Sequence, residues 1–387
     1  MPGQDQPFRV LIAGGGVAAL EAMVALRKLA EDRVEIELLS PDTDFFYRPL
    51  SVAEPFGLGE VHRFDLAGLA RGCGAAHRLG SLVAVYPDER HVRTSRNAMF
   101  SYDVLLLAIG VRPREAVPGA LTFRGEMDIG LVRRLLGDLE AGFVRNVVFA
   151  LPGGVTWPLP LYELALMTAD HLARKGISDA ELRIVTPEDS PLALLGPAAS
   201  EAVAAQLEER GVELLTATHP GAFDDGRLSV VPGSSLAADV VVSLPRLRGI
   251  PLAGIPQDAD FFVPTDSGGR VAGLEGVFAA GDLTTFPVKQ GGLAAQQADA
   301  AAESIAALAG APVTPRPFEP VLRALLLSDS PIYLRAQLGG GHGETSTVDD
   351  EALWWPAGKI AARHLGPYLA DHVGLSYGPT GSSVSVF

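Results

Sequence analysis

One cysteine, Cys73, is the whole thiol complement of this 387-residue chain, so no internal disulfide and no Cys-x-x-Cys redox pair can form. It sits in a glycine-flanked stretch, Arg71-Gly-Cys-Gly74, and reads as a structural or incidental thiol. Long apolar runs are missing too. The stretch that starts at Val10 is broken by three glycines and Glu21; it cannot span a bilayer and reads better as strand, turn and helix. The segment Met1–Pro7 has neither the positive start nor the apolar centre of a secretory signal. Positive charge is the minority, with 31 Lys+Arg against 46 Asp+Glu and a net −15. That balance excludes nucleic acid as a partner, because a phosphate backbone would be repelled. These absences place the chain in the cytoplasm, or peripherally on the inner face of a membrane. No metal site is expected: His342, His364 and His372 lack ligand spacing and are assigned no chemistry.

What is present is ordinary globular material, 48% hydrophobic and 20% charged, in a length that suits two domains. Val10 to Ala13 is an apolar strand that runs through Gly14-Gly-Gly16 into a helix over Val17–Ala30. The spacing Gly14-x-Gly16-x-x-Ala19 is that of a dinucleotide-binding turn. Gly14 permits the tight turn, Gly16 the approach of a pyrophosphate, and Ala19 close helix–strand packing, with the helix N-terminus offering N–H groups to the phosphates. A strand over Val34–Leu39 completes a β-α-β unit, and Ser40 stands where an acidic residue usually reads the ribose. Far along the chain, Gly276-Val-Phe-Ala-Ala-Gly281-Asp282 ends a second apolar strand in Gly-Asp, and Lys289-Gln290-Gly291-Gly292 opens an alanine-rich helix. A carboxylate at that strand end can accept hydrogen bonds from the hydroxyls of a ribityl chain, and the helix start can present N–H groups to a flavin ring.

The two segments together resemble the FAD half-sites of the pyridine nucleotide-disulfide oxidoreductase superfamily, in its sulfide:quinone oxidoreductase and type II NADH:quinone oxidoreductase-like branch. The resemblance implies an α/β flavoprotein with two Rossmann-like domains and FAD as cofactor. The FAD domain is discontinuous, residues 1–114 and 253–317. A second, NAD(P)-binding-like domain covers 115–252, and a small C-terminal region, for an interface or a membrane face, covers 318–387. It also implies that Pro49 lies against the flavin ring and Arg48 near the pyrophosphate or ring edge. Val83 would touch adenine through its backbone. The strand end Ala108-Ile-Gly110 would match the family's Ala-Thr-Gly, with Arg112 on the exit toward the second domain. Lys289 and Gln290 would support the reduced ring or meet a quinone carbonyl, and are the candidate catalytic residues.

The second domain departs from the pattern. In relatives that oxidise NADH it opens with its own Gly-x-Gly-x-x-Gly and a helix glutamate. Here Leu151-Pro-Gly153-Gly154-Val-Thr-Trp157-Pro-Leu-Pro160-Leu-Tyr-Glu163 lacks the third glycine. Prolines and an indole fill the turn where a pyrophosphate would sit. That resembles the sulfide:quinone branch, yet the thiols which carry sulfur in that branch have no counterpart here. Helices are expected over Leu161–Lys175, Ala198–Arg210, Ala294–Ala309 and Lys359–His372, with Pro312–Pro320 a stiff linker and residues 328–356 loop-rich. Trp354-Trp355 marks a membrane interface, a contact with a second copy, or packing against the FAD domain. The reading is an FAD-dependent oxidoreductase that passes two electrons from a small-molecule donor to a quinone or similar acceptor. Alternatives are an NAD(P)H-dependent reductase with an unusual nicotinamide pose, and a flavin-binding partner without turnover.

Overall fold

The computed structural model describes residues 7–338 and 346–372. Residues 1–6 and His342 with its glycine neighbours lie outside them. Strand β1 (Phe8–Ala13) leads into helix α1 (Val17–Ala30) and strand β2 (Val34–Ser40), and a short helix α2 (Leu66–Gly72) precedes β3 (Ala76–Leu79). A three-stranded antiparallel ribbon follows, β4 (Leu82–Tyr86), β5 (His91–Thr94) and β6 (Met99–Ser101), before the chain returns through β7 (Val104–Leu107). Next come β8 (Arg112–Arg114), β9 (Leu121–Thr122), α3 (Ile129–Ala141), β10 (Asn146–Ala150), α4 (Leu159–Lys175), β11 (Glu181–Val185), α5 (Pro197–Glu209) and β12 (Glu213–Leu215). After a small antiparallel meander within 219–237 the chain runs through β13 (Val240–Ser243), β14 (Arg246–Arg248) and β15 (Val277–Ala279) to α6 (Gly291–Leu308).

Two five-stranded parallel sheets result. The first is ordered β15-β7-β1-β2-β3 and the second β9-β13-β10-β11-β12. The last strand of the first sheet comes from beyond the second, so the second domain is inserted into the first. The buried, β-branched and leucine-rich strands of both sheets suit a sheet covered on its two faces. Helices α1 and α6 pack together over one face of the first sheet, with Leu20, Met23 and Leu26 among the fully buried residues. Two helices went unread in the sequence. Helix α3 carries the apolar spacing Ile129, Val132, Leu135, Leu136 and Leu139, all buried. Helix α2 is announced by Asp65, whose carboxylate accepts from the N–H groups of Ala67 and Gly68. Cys73 closes α2, buried, with its thiol pKa pushed up by that burial.

The C-terminal region corrects the loop-rich expectation. Strands β16 (Val321–Leu326), β17 (Ile332–Gln337) and β18 (Ser346–Asp349) form an antiparallel sheet. Leu322, Leu325, Leu326, Tyr333 and Leu334 extend the core of the second domain. Trp354 packs into that same cluster, edge-on to Tyr333 at 5.0 Å, and its Nε1 donates to the Gly358 carbonyl at 2.9 Å. It therefore joins the second domain rather than the first, while Trp355 is 59% exposed. Helix α7 (Leu365–His372) begins six residues later than expected and packs back on α1. Pro367 is tolerated because it falls in the first turn, where no helical N–H is needed.

Residues 350–364 thus cross from one domain to the other, and the crossing is fastened by Glu21 of α1. Fully buried, its carboxylate accepts from the backbone N–H of His364 at 2.7 Å and of Leu365 at 2.5 Å, capping α7 from another helix. Asp299 of α6 stands beside it, and the His364 Nε2 is 3.7 Å from the Asp299 carboxylate. Burial, with the Glu21 carboxylate adjacent, pushes Asp299 up to about 8, whereas burial next to Lys28 and Arg363 lowers His364 to about 4. A carboxyl whose folded pKa lies above its unfolded value loses stability as pH rises between the two. The Asp299→Asn variant, which imitates the protonated acid, is expected to be more stable than the parent by about 1–2 kcal/mol at pH 8 and nearly equal at pH 4.5. Urea denaturation at the two pH values checks this.

Candidate functional site

The glycine turn follows the sequence expectation closely. Gly14 has φ +138, and a Cβ on it would stand 2.1 Å from the Ala108 carbonyl oxygen, because β1 and β7 run side by side into the turn. Gly16 is the N-cap of α1 with no side chain capping it, and nothing lies within 4 Å of where its Cβ would be. Ala19 is fully buried. Gly110, with φ +69, faces open space as well. Bare backbone and a helix N-terminus therefore meet at this turn, which suits a pyrophosphate. Val83 sits where the register of β4 against β5 shifts between Leu82 and Ala84, and the strand bridges to Ala253 on its other side. Ser40 is different. Fully buried, it accepts from the Asp42 N–H at 3.2 Å and lies under Gly15, so its side chain packs beneath the turn.

The second half begins where β15 ends. Gly281, at φ +85, approaches α1 so closely that a Cβ would come within 3.0 Å of the Ala18 Cβ, and its N–H donates to the Gln297 Oε1 at 2.7 Å. The half-buried Asp282 follows, without a hydrogen-bond partner among the described residues. Burial pushes its carboxyl up, while Lys289 and Arg48 draw it back down. Lys289 donates to the carbonyls of Thr284 and Phe286, the latter at 2.7 Å, and lies 4.0 Å from the centre of the Phe262 ring. Burial lowers it to about 8 against the pull of Asp282 and Asp258. Gln290 turns out to be a cap. Its Oε1 accepts from the Leu293 N–H at 2.8 Å and its Nε2 donates to the Arg323 carbonyl at 3.0 Å. The side-chain amide is thereby committed to holding α6 and β16 together, and the helix start at Gly291 is left facing the cavity.

Arg48, Pro49, Asp282, Lys289, Gln290 and Gly291 all line one cavity of about 950 Å³ between the two domains. Arg48 pairs with Glu126 at 3.3 Å across it. Trp157 and Pro160, from the turn that departs from the nucleotide pattern, form part of the opposite wall. The Gly153 carbonyl of that turn accepts from the Arg246 Nε at 2.7 Å. Cys73 does not border the cavity. Deeper in, the cavity reaches two residues to which sequence reasoning gave no chemistry, Glu163 of α4 and Lys359. They form a buried ion pair across 196 positions of sequence. The Glu163 Oε1 also accepts from the Leu327 N–H at 2.8 Å, and the Lys359 Nζ donates to the Leu325 carbonyl at 3.0 Å. The Glu163 Oε2 is buried with no hydrogen-bond partner among the described residues. Burial raises the Glu163 carboxyl and lowers the Lys359 ammonium, each opposed by the other's charge. Only the fold could bring them together; Glu163 had a signal as a helix glutamate, Lys359 had none.

The arrangement fits FAD. The uncapped helix start at Gly16, the bare backbone at Gly110 and the Asp282 carboxylate, without a hydrogen-bond partner among the described residues, are what phosphates and ribityl hydroxyls would engage. Gly14→Ala tests the turn. Its Cβ would meet backbone at both a forbidden distance and a left-handed φ, so a loss of at least about 3 kcal/mol in stability is expected. Thermal melting and the flavin-to-protein absorbance ratio read the loss.

Comparison with known proteins agrees with this geometry. The family described as pyridine nucleotide-disulphide oxidoreductase matches residues 8–303. Two NADH dehydrogenase-like proteins from Mycobacterium tuberculosis strains are each 29% identical over 297 residues, 71% of this chain and 72% of theirs. The sulfide:quinone oxidoreductase of the hyperthermophilic bacterium Aquifex aeolicus superimposes with a TM-score of 0.79 at 18% identity, over 96% of each chain. NDH2 from Plasmodium falciparum superimposes with a TM-score of 0.60 at 16% identity, over 72% of this chain and 64% of that one. The chain belongs to the pyridine nucleotide-disulphide oxidoreductase family, as an oxidoreductase with FAD for its cofactor.

Proposed function

We propose that the protein passes two electrons from a small-molecule donor to a quinone, and that the quinone is reduced beside the buried Glu163–Lys359 pair. FAD, when bound, supplies the two-electron chemistry. Gly14, Gly16, Ala108, Gly110 and Val83 would hold its adenosine and pyrophosphate, with Arg48, Pro49, Gly281, Asp282, Lys289 and Gly291 at the other end. Arg112 lies beyond the strand end, and Ser40 supports the turn from below.

The observation that carries the reading is the buried Glu163–Lys359 pair on the cavity lining, in which the Glu163 Oε2 has no hydrogen-bond partner among the described residues. Reducing a quinone to a hydroquinone takes two electrons and two protons, so the acceptor site needs a proton store. Glu163 and Lys359 balance one proton between a carboxyl raised by burial and an amine lowered by it. The ammonium can give its proton to one quinone oxygen, and a second proton, taken up from solvent by Glu163, can pass to the other, so that two protons accompany the two electrons. Glu163 is held in place by the Leu327 N–H and Lys359 by the Leu325 carbonyl, so the pair keeps its geometry in either protonation state. Lys289, cationic below about pH 8, supports negative charge on a reduced ring.

Nicotinamide entry is the second reading, favoured by the names of the mycobacterial relatives. Trp157 and Pro160 on the wall oppose it. Sulfide oxidation through cysteines is opposed by the single, buried Cys73 away from the cavity. Anaerobic titration with NADH, NADPH and sulfide in turn separates the readings. Rapid bleaching of the flavin band by either nicotinamide establishes the second reading, and no transfer from photoreduced protein to a short-chain quinone removes the first in favour of a flavin-binding partner without turnover.

Glu163→Gln is expected to keep its flavin and lower the rate of quinone reduction about 10²-fold, in line with loss of a general acid–base group. Stopped-flow reoxidation of photoreduced protein measures it. Lys289→Met is expected to lower the flavin midpoint potential at pH 7 and to leave it unchanged at pH 9.5, where the parent lysine has already lost its proton. Spectroelectrochemistry at the two pH values checks that.

A further inference from the structure

The two chain crossings between the domains, β8 and β14, pair as an antiparallel ribbon with an unusual register. Arg112 stands opposite Arg248 and Arg114 opposite Arg246, with Pro113 opposite Leu247 between them. Residues two apart on a strand share a face, and directly opposed residues share it too. Four guanidinium groups therefore crowd one face of a six-residue ribbon. Like charges directly opposed destabilise such a pair, and this chain, with 46 acidic residues, has no shortage of partners.

Of the four, only Arg248 takes one, Asp260. Arg112 and Arg114 have neither an ion pair nor a hydrogen-bond partner among the described residues. Arg246 spends its Nε on the Gly153 carbonyl at 2.7 Å, which fixes the guanidinium without neutralising it. Arg248 lies 3.7 Å from the Asp260 carboxylate and stacks 4.7 Å from the centre of the Phe261 ring, a contact that orients its plane. Arg114, Arg246 and Arg248 line the cavity described above. Seven lysines and arginines border that cavity against four carboxylates, in a chain whose net charge is −15. Guanidinium groups opposed across a single strand spacing, two of them oriented by the Gly153 carbonyl and the Phe261 ring, suit a ligand with anionic groups at both ends.

We propose that the β8–β14 ribbon is a binding site for a small organic anion bearing two or more carboxylate or phosphate groups, held at the second-domain mouth of the cavity. The assignment of that anion as a substrate rests on the cavity being the electron-transfer chamber; its binding does not. Bridging both arginine pairs, the ligand would replace their mutual repulsion with charge-assisted hydrogen bonds and present its remaining atoms to the cavity. A ligand that reaches from these exposed arginines into the cavity has to be a small molecule, since an acidic protein would meet only their outer face.

Calorimetry on the full-length, flavin-loaded protein tests the site, with citrate as the carboxylate probe, inorganic pyrophosphate as the phosphate probe, and sodium chloride at equal ionic strength as the reference. A dissociation constant below about 1 mM for either probe is expected, weakened at least tenfold in the double variant Arg114→Gln/Arg246→Gln. The control Arg96→Gln, on an exposed turn away from the cavity, is expected to bind as the parent does. Whichever probe binds tighter names the anionic group. Heat no greater than with chloride, or equal affinity in the double variant, overturns the proposal. Loss of FAD together with anion binding in the double variant also overturns it, because the arginines would then serve the cofactor. Because binding is read as heat, a colourless protein that still binds citrate would sink the flavin reading and leave the anion site standing.

Discussion

A buried charge survives only with its partner in place, and here the partners belong to different parts of the chain. Glu163 comes from the inserted domain and Lys359 from the segment that crosses back to the first. Their carbonyl and N–H contacts, Leu325 and Leu327, come from the C-terminal sheet. Removing any one of these pieces would leave a charge uncompensated in the interior. The pair therefore couples three structural units and fixes the inner end of the cavity at the same time. Glu21 does the same work on the other side, through backbone N–H groups of His364 and Leu365, and so determines where Lys359 can lie.

The first sheet and its glycine turn were legible because they depend on local physics. Gly14, Gly16 and Ala19 are read from the close approach of backbone to backbone, and that approach appears between Gly14 and Ala108. The apolar runs in β1, β2, β7 and β10 likewise announce strands buried on both faces. Asp282 was legible as a carboxylate at a strand end. Gln290 was placed at the correct helix start but with another occupation, since an N-cap and a ligand contact demand the same residue type at the same position. Ser40 shows the same limit: sequence gives the strand end, and only packing shows that Gly15 covers it.

What could not be read lies in long-range pairing. Nothing in the spacing of Val321–Leu326 and Ile332–Gln337 announces that they form one sheet on the second domain's core, nor that Lys359 meets Glu163 over 196 positions. The Arg112–Arg248 and Arg114–Arg246 oppositions require the register of two crossings more than a hundred residues apart. Helix α3 was different, because its apolar period was present in the sequence and went unread.

The lone thiol has a consequence for how electrons move. With Cys73 buried at the end of α2 and no second thiol in the sequence to join it, the side chains cannot form a dithiol–disulfide couple within the chain, and so cannot bank a reducing equivalent between partners. Any two-electron reserve then rests with the flavin alone, which has to be emptied before it can be filled again.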